Sequence, residues 1–66
     1  MKRPTTFASR LRSLREAAGM SIPQLAERSG LPRQTIHLLE NGDRQPSLDT
    51  ARKLAAALGA SLATFD

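Results

Sequence analysis

At 66 residues the chain has room for one small domain, residues 1–66, which buries only about 60% of the surface its unfolded form exposes. It has no cysteine to support that core with a disulfide or a thiolate metal site, no apolar run near the roughly 18 residues of a membrane span, and no signal-peptide segment, so a soluble cytoplasmic protein is expected. Ten Lys and Arg, eight of them Arg, stand against six Asp and Glu; the resulting formal charge of +4 suits a polyanionic partner, although charge of this size also serves solubility alone.

Residues 1–5 are polar, with Lys2 and Arg3 ahead of Pro4, and read as a flexible arm. Phe7, Leu11, Leu14 and Ala18 then recur at the spacing of one helical face, with Thr6 as the expected cap and Gly19 as the stop. A second start signal follows: Ser21 as cap, Gln24 closing a capping box, and Met20 placed to staple against Leu25. This predicts a second helix from about Ile22, tolerant of Pro23 in its first turn and ended by Gly30 in a left-handed conformation. Only Leu31 and Pro32 separate Gly30 from Arg33, so the second and third helices must meet steeply, as in a helix-turn-helix unit. Asn41-Gly42 closes the third helix. Ser47 caps a fourth, in which Asp49 favours the dipole and Leu48, Ala51, Leu54, Ala55 and Leu58 form the expected inner stripe. Gly59 stops it, and Ser61 caps a last turn that would place Leu62 and Phe65 on the core. No strand, repeat or low-complexity segment is expected.

The third helix is divided in its chemistry. At about 100° per residue, Ile36 and Leu39 fall on one side, while Arg33, Gln34, His37 and Asn41 gather within an arc of about 100° on the other. Arginine makes a two-toothed bond to guanine and glutamine to adenine in the major groove, so the polar arc has the side chains of a recognition helix. With two Phe and no Tyr or Trp to stack unpaired bases, duplex is the expected form of nucleic acid.

From Ile22 to Asn41 the sequence resembles the helix-turn-helix of the lambda-repressor-like, Xre/Cro family of bacterial and phage transcriptional regulators. The resemblance rests on Ala26, where the two helices approach closely, on Gly30 at the turn, and on Leu25, Leu31, Ile36 and Leu39 as apolar filling. It extends through LRSLREAAG before the motif, ENG after it and PSLDTARKLAAALG beyond. It implies an all-α, compact bundle of four to five helices with the third in the major groove. It also implies that Arg33 and Gln34, with His37 and Leu38 further along, contact bases, and that Asn41, Gly42 and Arg44 contact phosphates. Arg15 and Glu40 match a pair linking the first helix to the third, expected as a partly buried salt bridge. Three positions depart from the pattern. Pro32 stands where a Ser or Thr commonly caps the recognition helix, and Ile22 stands where many relatives have a phosphate-touching glutamine. Leu38 replaces a polar or basic residue, and suits a thymine methyl, a partner contact or plain exposure.

His37 is the only histidine and has no acid at ligand spacing on its face, so no metal is expected. No base is paired with a nucleophile and no glycine-rich phosphate cradle is present, so neither an enzyme nor a cofactor is expected. The expected function is sequence-specific duplex DNA binding by a small regulator, most simply a repressor. The alternative is an antitoxin or other protein-interaction module on the same fold, with a toxin or another protein as partner. By analogy with relatives a homodimer is expected, weak and formed mainly on DNA. The length suggests no sensor or effector domain.

Overall fold

A computed structural model of the chain describes residues 6–60, with the Thr6 side chain left aside. All regular structure among these residues is helical: α1 (Thr6–Ala17), α2 (Ile22–Ser29), α3 (Arg33–Asn41) and α4 (Leu48–Leu58). The expected arm at residues 1–5, and the last turn with Ser61, Leu62 and Phe65, lie outside the described residues.

Each helix contributes a stripe at three- and four-residue spacing to one core. Leu11, Leu25, Ile36, Leu39 and Leu54 are fully buried, joined by Ala26 and Ala55, with Phe7, Leu14, Met20, Ile22, Leu31, Ala57 and Leu58 packed around them. Full burial of one such aliphatic side chain stabilises by about 1.5–3 kcal/mol, so five of them form the main support of a chain this small. α1 packs on α3, and α2 packs on both α3 and α4. The small side chains Ala8, Ala26 and Ala55 are buried, and allow close approach of the backbones.

The second helix starts as the sequence predicts. Ser21 Oγ accepts a hydrogen bond from Gln24 N at 3.2 Å, and Gln24 Oε1 accepts from Ser21 N at 2.8 Å, completing a capping box. Ser47 Oγ likewise accepts from Thr50 N at 3.1 Å at the start of α4. Three expectations are corrected. Thr6 is already helical and is not the cap of α1. Ala18 lies beyond the end of α1, in the turn closed by Met20 N donating to Arg15 O at 3.1 Å, and is exposed instead of packed. Leu48 is 61% exposed although its angular position matches the buried stripe of α4. It is the first residue of the helix, and helical side chains lean toward the N-terminus, so Leu48 projects past the end of the stripe.

Candidate nucleic-acid interface

The exit from α2 sets where α3 lies. Gly30 takes φ 74° and ψ 17°, a left-handed conformation that side-chain-bearing residues adopt with strain, and its N–H donates to Ala26 O. Pro32, at φ −62° and ψ 144°, is the residue before α3 and gives it no side-chain cap. The missing cap is therefore as the sequence suggests.

Along α3 the inward residues Ile36, Leu39 and Glu40 are buried, while Arg33, Gln34, His37 and Asn41 are exposed. Leu38 is half-buried at the border of the two faces. Gly42, at φ 79°, closes the helix with its N–H aimed at Leu38 O and Leu39 O, and the chain then carries Arg44 outward as an exposed side chain. The four base-contact candidates thus lie along α3, and the phosphate-contact candidates Asn41, Gly42 and Arg44 at its C-terminal end and in the following loop. Beside the first turn of α3, the residues Pro23, Gln24, Glu27, Leu31, Pro32 and Arg33 line an open notch against α2. Ile22, one of the positions that depart from the family pattern, packs against the core.

The far end of α3 is held by charge. Arg15 Nε donates to Glu40 Oε2 at 2.7 Å and Arg15 Nη2 to Glu40 Oε1 at 3.1 Å, a two-toothed pair whose side chains are 13% and 6% exposed. Arg15 Nη1 donates to Met20 O at 2.8 Å, so one guanidinium joins α1, the loop before α2, and α3. The hydrogen bonds that Arg15 donates to Glu40 raise the Arg15 pKa above its ordinary value; burial opposes this, and the charges of Glu40 and Glu16 reinforce it. Described residues have no buried side-chain polar atom without a partner. By contrast, Arg12–Glu16 at 3.7 Å and Lys53–Asp49 at 3.3 Å are exposed pairs one helical turn apart and contribute little.

Two features escaped the sequence reading. The bond from Arg15 to the Met20 carbonyl has no sequence signature. Ser29 is buried at the end of α2, where its Oγ donates to Ala26 O and accepts from Leu31 N, both at 3.3 Å. Its place on the stripe Ile22, Leu25, Ala26, Ser29 signals that burial, but the hydroxyl disguises it as surface. No group of three or more His, Asp or Glu side chains converges among the described residues, and no described helix is long and apolar enough to cross a membrane.

A helix-turn-helix family model matches residues 11–65. An uncharacterized HTH-type transcriptional regulator of Methanothermobacter thermautotrophicus is 47% identical over 49 residues, covering 74% of this chain and 71% of the relative. A second, from Mycobacterium tuberculosis, is 45% identical over 51 residues; there the match covers 77% of this chain but only 36% of the relative. Among solved structures, the restriction-modification controller protein C.AhdI from Aeromonas hydrophila superposes with a TM-score of 0.89 at 41% identity, covering 92% of each chain. The clp gene regulator ClgR from C. glutamicum superposes with a TM-score of 0.85 at 32% identity, covering 91% of this chain and 78% of that one. With the helix-turn-helix and its flanking helices matched in both sequence and shape, the chain belongs to the lambda-repressor-like helix-turn-helix family of DNA-binding transcriptional regulators.

Proposed function

We propose that the chain regulates transcription by laying α3 in the major groove of duplex DNA, with Arg33, Gln34, His37 and Leu38 meeting base edges. Asn41, Gly42 and Arg44 then hold the phosphates. The observation that carries this reading is the division of α3: Ile36, Leu39 and Glu40 are locked inside while Arg33, Gln34, His37 and Asn41 all stand in solvent on the opposite side. A helix anchored on one face and polar on the other presents its side chains from a fixed backbone, and arginine and glutamine are suited to guanine and adenine. Occupying a site is enough to block transcription, so repression needs nothing beyond this surface, and no step of it is catalytic. The DNA target places the protein in the cytoplasm. Two copies on half-sites about one helical turn apart fit the two-fold arrangement of such readers.

Selection of bound sites from a random duplex library tests the reading. The expected product is an enriched, salt-sensitive site with two related halves. Binding that enriches no sequence would overturn the proposal, and co-purification of a stoichiometric protein partner with no duplex binding would favour the interaction module.

A further inference from the structure

The four helices share one closing residue and differ in one bond. Gly19, Gly30, Gly42 and Gly59 all take positive φ after α1, α2, α3 and α4. After α1, α3 and α4 the next residue reaches back five positions: Met20 N to Arg15 O at 3.1 Å, Asp43 N to Leu38 O at 2.9 Å, and Ala60 N to Ala55 O at 2.8 Å. This is the usual double closure, and it folds the chain back against its own helix. After α2, Gly30 N donates to Ala26 O at 2.9 Å, but Leu31 N donates to Ser29 Oγ, which in turn donates to Ala26 O. The hydroxyl thus stands as a one-atom spacer between the Leu31 amide and the Ala26 carbonyl, which also accepts from Gly30 N. Ser29 is 9% exposed, so bulk water does not readily replace the hydroxyl if it is removed.

We infer that Ser29 is the positioning residue of the recognition helix: its hydroxyl holds the Leu31 amide away from Ala26 O, and so sets the angle at which α3 leaves α2. The inference rests on the proposed reading of DNA by α3. Its mechanical basis is that α3 is held at two ends. Arg15 fixes Glu40 near the C-terminal end, while at the N-terminal end Pro32 supplies no cap and the spacer sets the path of the turn. Without the hydroxyl, the Leu31 amide is drawn toward the closure used at the other helices, and Arg33 and Gln34, two and three residues on, move with it. Residues at the far end, held by Glu40, move less.

The test compares Ser29→Ala with Ser29→Thr, which keeps the hydroxyl, using amide exchange at Leu31 and binding to the selected site and to random duplex. In Ser29→Ala, Leu31 exchange is expected to quicken about tenfold, as for loss of one partly buried hydrogen bond. Affinity for the selected site should fall about tenfold, with random-duplex affinity nearly unchanged because phosphate contacts supply it. Ser29→Thr should restore both. An unchanged ratio of selected to random affinity in Ser29→Ala, or a Leu31 amide in the unsubstituted chain that exchanges as fast as an exposed one, overturns the inference. Fast Leu31 exchange in the unsubstituted chain overturns the inference even if Ser29→Ala does not fold, and Ser29→Gly, which also removes the hydroxyl, then supplies the affinity ratio. An unsubstituted chain that does not distinguish the two duplexes defeats the proposed function itself, whereas a Leu31 effect without a change in preference defeats only the positioning role.

Discussion

Glu40 and Arg15 stand 25 positions apart and share a site that is almost closed to water, so removing either leaves the other's charge without its ion-pair partner. Breaking such a pair costs about 3–5 kcal/mol, against about 0–1 for an exposed one. Glu40→Ala is therefore expected to lower the urea midpoint by on the order of 3 M, given a denaturant slope of roughly 1 kcal/mol/M for a small chain, or to unfold the protein without denaturant. Arg12→Ala, which breaks the exposed pair with Glu16, is the control. A Glu40→Ala shift no larger than the control would show that the pair does not hold α3. At this scale the sequence was only partly legible. No helical periodicity connects residues so far apart, and the pair came into view through the family resemblance alone. Leu48 failed for a different reason: a helical wheel records the angle of a side chain but not whether another element reaches that far along the axis.

The helices themselves were readable because their ends are written in local chemistry. Ser21 with Gln24, Ser47 with Thr50, and the closing glycines act within a few residues of one another, so sequence spacing carries nearly all the geometry. The turn between α2 and α3 was readable as short, but not in its detailed path, which depends on the bonds of Ser29. Two substitutions probe it. No atom lies within 4 Å of a methyl built on Gly30, so Gly30→Ala meets no obstruction and its cost is backbone strain alone, about 1–2 kcal/mol. Thermal melts showing no loss would mean that the turn relaxes out of the left-handed region. Pro32 holds φ −62° and ψ 144°, close to the cap conformations of Ser21 (φ −80°, ψ 166°) and Ser47 (φ −77°, ψ 166°). Pro32→Ser is accordingly expected to add a side-chain acceptor for the first amides of α3 and to raise stability by about 1 kcal/mol, less what the rigidity of proline contributed. Equal or lower stability in melts would show that pre-setting the turn outweighs the cap.

For the molecule as a whole, the core exists to hold one face of one helix outward. Positive charge draws the chain to any duplex, and each phosphate contact steepens the salt dependence by about 0.9 in the logarithmic slope. In the proposed reading, sequence preference comes from side chains aimed at base edges, where one good two-toothed contact discriminates by about 1–3 kcal/mol. These contributions separate experimentally at Arg33 and Gln34 on the exposed face of α3 and at Arg44 in the loop beyond it. The decisive measurement is the affinity of Arg33→Ala, Gln34→Ala and Arg44→Ala for the selected site and its single-base variants at several salt concentrations. Arg33→Ala and Gln34→Ala should each relax preference at one base position, while Arg44→Ala should weaken all sequences alike and flatten the salt slope by about one unit. If Arg33→Ala and Gln34→Ala instead lowered affinity for every sequence equally, α3 would not be reading bases through its first turn.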